Sequence, residues 1–310
     1  MIKSEADCRA IIDIGSNSIK LHVARITNGK IYVLRDETEV VRLGRGMSAT
    51  GFLIEAGMKL SCDTVTRMVN TASKLGAEIF IAGTMALRTA KNADEFIKMI
   101  KASTGFDVHV LTGEDEAKYS WLGAVDGFGI DGDLIMFDSG GGSTEFVSGV
   151  GGSVDKITSV PIGAVNLSEK FFNIHDKPIK KFFCDEAVDY VKNLLIENKI
   201  NEFITDSLQK PQIIGVGGGV VTMASVKFAC ESFVPAKLHG SILTVRDVNR
   251  QIQMYSSLTL SERQNVIGLP ANRADVILGS ACIVSAALEI LRAKYCTVSI
   301  NGLRHGLLLV

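Results

Sequence analysis

The sequence predicts an α/β fold made of two related halves, and two observations support this prediction. First, apolar strand patterns alternate with helical patterns along the whole chain. Second, one pattern occurs twice: an apolar strand ending in Asp, a turn of Gly and Ser residues, and another strand. Its copies are Asp13–Ser18 and Asp138–Glu145. Because each copy opens a meander of strands, we expect a duplicated domain, with the two loops facing one another across a cleft.

Composition limits the class of protein. The chain has 310 residues, enough for two domains, and 46% of them are hydrophobic, so each half can bury a core. The net charge of −1 does not mark a nucleic-acid-binding surface. The six cysteines are scattered, which argues against a Cys-ligated zinc site and against a disulfide framework. No apolar stretch reaches the roughly 20 residues that span a bilayer, and the charged N-terminus lacks a signal-peptide core. We therefore expect a cytoplasmic protein with no membrane or nucleic-acid partner.

The first half reads as a strand meander followed by a helix. Strand Arg9–Ile14 leads through a tight turn into two further strands, and Asn28-Gly29 is the predicted hairpin turn. Strand Lys30–Val41 closes the meander. The helix that begins near Ile54 has apolar residues at three- and four-residue steps, so one face is expected to be buried.

The second half repeats this order after a glycine-rich boundary at Gly127–Gly132. Strand Asp133–Asp138 opens the second meander, and a long helix is predicted over Ala271–Leu291. The predicted domains are residues 1–128 together with a returning segment 300–310, and residues 129–299.

A Gly/Ser turn between two strands can bind phosphate. Glycine lets the backbone approach an anion closely, and consecutive N–H groups and hydroxyls can then point at it. In the second loop, Asp138 and Glu145 flank the turn on adjacent strands, so both carboxylates could reach one magnesium ion. The competing explanation is an ordinary hairpin turn, for which Asp, Gly, Ser and Asn are the expected residues. Three consecutive glycines at Gly140–Gly142 favour the phosphate loop, since they carry an entropic cost.

Further glycine runs have different contexts. Gly215–Gly219 follows an apolar strand and precedes a helical pattern at Val220–Phe228. Such a turn either presents N–H groups to an anion or lets the helix pack closely on a sheet, and the sequence leaves both explanations open. Gly127, Gly129 and Gly132 match G-x-G-x-x-G. In a dinucleotide site this motif follows a strand and opens a helix, whereas here it precedes a strand, so a dinucleotide site is not expected.

Charged residues supply candidates for catalysis. Glu114, Asp115 and Glu116 begin the helix that follows strand Val108–Leu111 in the sequence. One explanation is structural, because Thr112-x-x-Asp115 is a capping box and acids favour a helix N-terminus. The other is a general base at the cleft. The basic candidates for phosphate binding are Lys20, Arg42, Arg45, Arg88 and Lys91.

Together these residues resemble the exopolyphosphatase/guanosine pentaphosphate phosphatase family, which belongs to the superfamily of actin, sugar kinases and chaperone ATPases. The matching stretches run nearly from one end of the chain to the other, and their common order makes the resemblance specific. They are Ile12–Ser18, Val41–Gly44, Ala86–Asn92, Gly113–Ala117, Asp138–Glu145, Pro161–Val165, Arg273–Asp275 and Gly302–Leu307.

The resemblance implies two ribonuclease-H-like, actin-like domains and a magnesium-dependent hydrolase. Its implied substrate is inorganic polyphosphate or guanosine pentaphosphate, from which it removes the terminal phosphate. The resemblance assigns the catalytic glutamate to Glu116 and the metal and water-positioning acids to Asp138 and Glu145. It assigns phosphate contacts to Ser16, Asn17, Gly141, Gly142 and Ser143, and a basic contact to Arg88.

The residue patterns themselves add further candidates. Asp13, the acid at the end of the first strand, is added as a third candidate for the Mg²⁺ site from its place in the loop pattern. The pattern of charges and glycines adds Lys20, Gly217 and Gly218 as further candidates for phosphate binding.

The chain departs from the family pattern at two positions. The third glycine turn of the family usually ends in Thr, where this chain has Gly219, so a hydroxyl contact there is in question. Before Gly302 the family tends to show Ser-Asp-Tyr, and this chain has Ser299-Ile300-Asn301, which lacks the acid. The chain also resembles the short members without added C-terminal helical domains, which puts long-chain processivity in question.

Three other functions are compatible with the same loops. A kinase of the superfamily would consume ATP only with an added acceptor, and a sensor would bind polyphosphate or guanosine pentaphosphate without releasing phosphate. An actin-like filament protein would polymerise on nucleotide addition. The sequence leaves open the preferred substrate and the oligomeric state, including a homodimer through the helix Ala271–Leu291.

Overall fold

The computed structural model describes residues 7–28, 30–128, 132–150, 153–172, 177–204 and 211–310. Gly29 of the predicted hairpin and residues 129–131 of the predicted boundary lie outside the described residues. The chain divides into two compact units, residues 1–116 with 304–310 (unit 1) and residues 117–303 (unit 2). The duplicated-domain boundary at 128 and 129 stays a prediction. Among the described residues, no helix is both long and apolar enough to cross a bilayer.

Unit 1 contains one five-stranded sheet and its helices. Its elements are β1 (Asp7–Ile14), β2 (Ser18–Thr27), β3 (Lys30–Val40), α1 (Met47–Thr50), α2 (Glu55–Lys74), β4 (Glu78–Gly83), α3 (Met85–Thr89), α4 (Ala93–Thr104), β5 (Val108–Val110) and the start of α5 (Gly113–Val125).

Unit 2 contains a six-stranded sheet and most of the helical residues. Its strands are β6 (Asp133–Ser139), β7 (Thr144–Val150), β8 (Ser153–Val160), β9 (Gln212–Val216), β10 (Ile242–Thr244) and β11 (Tyr295–Val298). Its helices are α6 (Ala164–Phe171), α7 (Lys181–Glu197), α8 (Gly218–Lys227), α9 (Pro235–Leu238), α10 (Val245–Ser257), α11 (Leu260–Arg263) and α12 (Ile277–Ile290). Short 3₁₀ turns lie at Ile200–Phe203 and Ala271–Arg273. The following helix, α13 (Leu303–Leu308), belongs to unit 1 from Arg304 onward.

The two sheets share one strand order, which confirms the predicted duplication of an α/β fold. Unit 1 has the order β3-β2-β1-β4-β5, with an antiparallel meander followed by parallel strands. Unit 2 has β8-β7-β6-β9-β11 in the same senses and adds the antiparallel edge strand β10. This is the ribonuclease-H-like arrangement. In both units the carboxyl ends of the first strand and of the parallel strands lie at the same edge of the sheet. In open α/β sheets, ligands bind at this edge.

Apolar periodicity builds a separate core in each unit. In unit 1, Ile12 and Leu21 of the sheet pack with Val65 of α2 and Phe96 of α4. A larger core in unit 2 surrounds α12, the long apolar helix expected from the sequence, which is buried along almost its whole length. These cores fix the strands, and therefore the residues at the strand ends.

The predicted helix Ala271–Leu291 is wrong over its first two turns. Ala271–Arg273 forms a 3₁₀ turn, closed by the Arg273 N–H donating to the Pro270 carbonyl at 2.8 Å, and α12 begins only at Ile277. Tight i→i+3 hydrogen bonds replace the helical ones in this segment. The interruption separates Arg273 from the face of α12.

The end of the chain returns to unit 1. The Arg304 guanidinium donates to the Leu21 carbonyl at 3.2 Å and to the Asp36 carboxylate at 2.6 Å. Burial raises the pKa of Asp36, but hydrogen bonds from His22 and Arg304 outweigh it and lower that pKa to about 2. The ionised carboxylate therefore anchors the C-terminal segment to strands β2 and β3.

Candidate active site

The glycine loop of unit 2 is held from behind by α6. The Gly140 N–H donates to the Ser143 carbonyl at 3.0 Å, which closes the turn between β6 and β7. The carbonyls of Gly140, Gly141 and Gly142 then accept from Ala164 N, Val165 N and Asn166 Nδ2, at 3.0, 2.8 and 3.0 Å. All three carbonyls are therefore turned toward the start of α6.

The opposite side of this loop presents donors. Within the described residues, the N–H groups of Gly141, Gly142 and Ser143 have no hydrogen-bond acceptor. The buried Ser139 hydroxyl also lacks a partner there. Consecutive N–H groups without acceptors, beside a hydroxyl without a partner, suit a phosphate group. This arrangement agrees with the phosphate contacts predicted for Gly141, Gly142 and Ser143.

The first loop, in unit 1, follows the same plan with a different support. The Gly15 N–H donates to the Ser18 carbonyl at 3.1 Å. The carbonyl of Asn17 accepts from Val41 N and Arg42 N, and that of Ser16 accepts from Gly44 N at 2.8 Å. In the described part of the chain, the N–H groups of Ser16 and Asn17 have no acceptor, and the buried Asn17 Oδ1 has no partner. Both predicted loops therefore turn N–H groups away from their supports.

Two carboxylates stand side by side in unit 2. Asp138 on β6 is directly opposite Glu145 on β7 in the antiparallel register, so both side chains lie on one face of the sheet. The Ser120 hydroxyl donates to Asp138 Oδ2 at 2.8 Å, and the Ser159 hydroxyl donates to Glu145 Oε1 at 2.9 Å. Glu145 is almost fully buried. Adjacent carboxylates repel each other, and a divalent cation relieves that repulsion.

The residues of unit 2 fit a magnesium ion in one particular way. Among the described residues, no group of three or more His, Cys, Asp or Glu side chains is arranged to hold a metal. Magnesium, however, often takes only one or two carboxylates and fills its other positions with water and substrate phosphates. Asp138 and Glu145 meet that requirement.

The corresponding acid of unit 1 has a different neighbour. Asp13 on β1 is directly opposite Lys20 on β2, and Lys20 Nζ lies 3.2 Å from Asp13 Oδ2. Asp13 is buried, and Lys20 compensates its charge. The prediction that Asp13 binds the metal stays a prediction, and its ion pair with Lys20 makes Asp13 the weakest of the three candidates.

Glu116, in the first turn of α5, is held by Arg88. Arg88 Nη1 donates to Glu116 Oε2 at 2.5 Å and to the Leu111 carbonyl at 3.0 Å. The Thr112 hydroxyl accepts from the Asp115 N–H at 3.1 Å, so the predicted cap is present. Capping therefore occupies Asp115, whereas Glu116 is oriented by a guanidinium. Arg88, expected from the sequence to contact phosphate, contacts the predicted base in the structure.

The third glycine turn lies beside the acid pair within unit 2. A Cβ atom built on Gly217 would lie 3.1 Å from Asp138 Oδ1, and one on Gly218 would lie 2.1 Å from Arg273 Nη1. A side chain at either position would collide with these neighbours. At the start of α8, the guanidinium of Arg273 lies where a side chain of residue 218 would be. Burial lowers the pKa of Arg273. No side-chain hydrogen bond of Arg273 occurs within the described residues, so an anion at this helix start would meet an available cation.

Several of these residues escaped assignment from sequence. Ser120 and Ser159 orient the two acids, Asn166 holds the glycine loop, and Arg273 lies at the third turn. For Arg273 there was a signal, since the stretch Arg273–Asp275 matches the family pattern, although the resemblance gives it no role. The serines gave no signal, because a lone Ser on a helix or strand is an ordinary residue.

The fold and the loops together define a class: a protein of two ribonuclease-H-like units, as in the actin-like superfamily, with a glycine loop at the first hairpin of each sheet. The sequence model of the Ppx/GppA phosphatase family matches residues 22–310. The chain belongs to this family.

Relatives and a solved structure agree with this assignment. A bifunctional 3-dehydroquinate synthase/phosphatase of Fusobacterium nucleatum is 30% identical over 97% of this chain and 46% of its own length. A guanosine-5′-triphosphate,3′-diphosphate pyrophosphatase of Photobacterium profundum is 30% identical over 96% of this chain and 58% of its own. The crystal structure of an exopolyphosphatase from Cytophaga hutchinsonii has a TM-score of 0.86 at 27% identity, covering 97% of this chain and 96% of that one. The chain thus spans about half the length of these two relatives and nearly the full length of the solved structure.

Proposed function

We propose that this protein hydrolyses the terminal phosphoanhydride bond of inorganic polyphosphate or guanosine pentaphosphate. The observation that carries the proposal is the direct pairing of Asp138 with Glu145, next to a loop whose three N–H groups have no acceptor among the described residues. A divalent cation and a phosphate group would satisfy both features. Relatives named as a pyrophosphatase of guanosine pentaphosphate and as an exopolyphosphatase support this choice of substrates.

The proposed roles follow from the contacts of each residue. Gly141, Gly142 and Ser143 in unit 2, and Ser16 and Asn17 in unit 1, donate N–H groups to phosphate oxygens. Such fixed donors stabilise the charge that develops during phosphoryl transfer. Lys20 adds positive charge at the loop of unit 1, and Arg273 adds it at the third glycine turn of unit 2.

Glu116 is the proposed general base. Its carboxylate would accept a hydrogen bond from the attacking water and orient that water for in-line displacement. Arg88 fixes the orientation of the carboxylate through Oε2. Arg88 is therefore a positioning residue in this proposal as well as a source of positive charge.

Asp138 and Glu145 would hold a magnesium ion, with Ser120 and Ser159 fixing the orientation of the two carboxylates. Magnesium supplies charge neutralisation on the phosphate oxygens. The two serine hydroxyls each donate to one carboxylate oxygen, so they constrain its rotation without adding charge.

The test compares phosphate release with Mg²⁺ from tripolyphosphate, long-chain polyphosphate, guanosine pentaphosphate and ATP. We expect release from at least one of the first three without any added acceptor. Glu116→Gln should lower kcat by about 10³-fold and leave substrate binding intact, since it removes a base and not a phosphate ligand. Glu114→Gln is the matched control, because Glu114 lies in the same helical turn and is exposed.

Three results would contradict the proposal. Near-normal turnover by Glu116→Gln would remove Glu116 from its role. ATP consumption that depends on an added hydroxyl or carboxyl compound would indicate a kinase. Tight binding without phosphate release would indicate a sensor.

A further inference from the structure

The third glycine turn has a second unusual neighbour, Ser280 of α12. A Cβ atom built on Gly219 would lie 2.5 Å from both Cβ and Oγ of Ser280. Real Cβ atoms essentially never approach another atom this closely, so the Ser280 side chain occupies the space that a side chain at residue 219 would take. With Ser280 in this position, only glycine fits at residue 219 without a collision.

The Ser280 hydroxyl points toward the N-terminal end of α8. Every Cα–Cβ bond of a helix tilts toward the helix N-terminus, and Gly219 is the second residue of α8. An atom at the Cβ position of Gly219 therefore lies near the free N–H groups of the first turn. Ser280 Oγ lies in that region, one residue along from the site where Arg273 Nη1 approaches Gly218.

The hydroxyl of Ser280 has no hydrogen-bond partner among the residues that the structure describes. Ser280 is 3% exposed, and buried serines in helices commonly donate to the carbonyl four residues earlier. No hydrogen bond of the Ser280 side chain occurs within the described residues. A hydroxyl without a partner, on a residue that is 3% exposed and lies beside a helix N-terminus, is a group that can bind a ligand.

We propose that Ser280 supplies, from α12, the hydroxyl that binds a phosphate oxygen of the substrate at the first turn of α8. Gly219 makes room for this hydroxyl. That the ligand is a phosphate rests on the function proposed above. That the Ser280 side chain fills the space next to Gly219 rests on geometry alone. The hydroxyl that is missing at residue 219 is thus provided from another helix.

The experiment measures binding of tripolyphosphate by calorimetry in a Glu116→Gln background, so that the probe is not consumed. Ser280→Ala keeps the Cβ atom and removes only the oxygen. We expect its dissociation constant to rise about tenfold, the loss typical of one hydrogen bond to a charged group, with the thermal midpoint unchanged. Ser256→Ala is the control, a serine of α10 whose hydroxyl donates to the Gln253 carbonyl.

A relocation variant tests whether the position of the hydroxyl, and not only its presence, is what binds phosphate. Gly219→Thr alone should not fold normally, since the Cβ atom of the new side chain would collide with Ser280. Gly219→Thr with Ser280→Gly should fold, because the Cα atom of residue 280 lies 3.8 Å from the new Cβ, an ordinary contact. We expect the double variant to bind tripolyphosphate within about threefold of the parent, and Ser280→Gly alone to bind about tenfold more weakly, as for the loss of one such hydrogen bond.

The outcomes separate this inference from the proposed function. Weaker tripolyphosphate binding by Ser280→Ala in a protein that releases no phosphate would reject the phosphatase and keep the role of Ser280. Normal phosphate release with unchanged binding by Ser280→Ala would reject the role of Ser280. A folded double variant that does not recover binding, or a parent that does not bind tripolyphosphate, would reject it as well.

Discussion

The hairpin loops of the two units differ at one decisive position. In both units an Asp lies two residues before the first loop glycine, and the residue opposite that Asp in the next strand shares its face of the sheet. This residue is Lys20 opposite Asp13 in unit 1 and Glu145 opposite Asp138 in unit 2. One scaffold therefore holds an ion pair in the first copy and a pair of like charges in the second.

This difference explains how one duplicated loop can serve two purposes. An acid opposite a lysine is neutralised in place and needs no cation. Two acids on one face repel each other, which costs stability until a cation binds. The supports differ in parallel, since a turn at Val41–Gly44 holds the first loop and the start of α6 holds the second. Under the proposed function, the loop of unit 1 would bind phosphate, and the loop of unit 2 would bind phosphate and metal.

The strongest test converts the second loop into a copy of the first. Glu145→Lys places an ammonium opposite Asp138, as in unit 1, and should lower phosphate release by about 10³-fold or more, because the ion pair would displace the cation. Binding of Mn²⁺, followed by electron paramagnetic resonance, should be lost together with activity.

Glu145→Gln removes the charge of this side chain but keeps nearly the same shape, so it tests the effect of charge alone. Without metal, it should have a higher thermal midpoint than the native protein, since it removes the repulsion with Asp138. Mg²⁺ should raise the midpoint of the native protein and leave that of Glu145→Gln unchanged. Retention of metal binding by Glu145→Lys would mean that the pair of acids is not the cation site.

The supports of the two loops can be compared by one substitution in each. A Cβ atom on Gly163 would lie 2.3 Å from Gly142 N, whereas one on Gly44 would lie 3.0 Å from the Ser16 Cβ atom. Gly163→Ala should therefore displace the glycine loop of unit 2 and lower kcat/KM by about 10²-fold, and Gly44→Ala should cost much less. Gly163 has a φ of −142°, a conformation open to Ala, so the effect would be steric.

Circular dichroism and thermal unfolding provide the check on both glycine variants. Equal losses of activity for Gly163→Ala and Gly44→Ala, at equal stability, would show that the two loops contribute alike.

Ser120 orients one acid of the second loop and has a smaller expected effect. Ser120→Ala removes the donor to Asp138 Oδ2 and frees the carboxylate to rotate. We expect the Mg²⁺ concentration for half-maximal activity to rise about tenfold, in line with the loss of an outer partner of a metal ligand. Direct titration with Mn²⁺ should show the same shift. A change in maximal rate at saturating Mg²⁺ without this shift would assign Ser120 another role.

The ion pair of the first loop should matter most for stability and least for rate. Lys20→Met leaves buried Asp13 without its ammonium partner, which should lower the free energy of unfolding by about 1–2 kcal/mol, with only a few-fold rise in KM. The double variant Asp13→Asn with Lys20→Met should recover most of the lost stability, because no uncompensated charge remains. A loss of kcat in Lys20→Met as large as that expected for a missing general base, about 10³-fold, would instead place Lys20 in the chemical step.

The two loops are predictable from the sequence because their pattern is local. A strand ending in Asp, a short turn and a second strand set the hairpin register, so the residues alone place Asp138 and Glu145 on adjacent strands. Aligning the two copies also reveals that Glu145 takes the place of Lys20. The contacts of Ser120, Arg273 and Ser280 cannot be read in this way, because each depends on how distant elements pack. The broken start of the helix predicted at Ala271–Leu291 is missed for the same reason, as apolar periodicity continues through a segment that forms a 3₁₀ turn.

The return of the last residues to unit 1 has a consequence for synthesis on the ribosome. Residues 117–303 form one unbroken stretch, so unit 2 has all of its residues as soon as Leu303 has emerged. Unit 1 begins first but lacks Arg304 until after that point, and with it the contacts to Leu21 and Asp36. Unit 1 therefore emerges first and is completed last, and until then the Asp36 carboxylate has His22 beside it but lacks the guanidinium of Arg304.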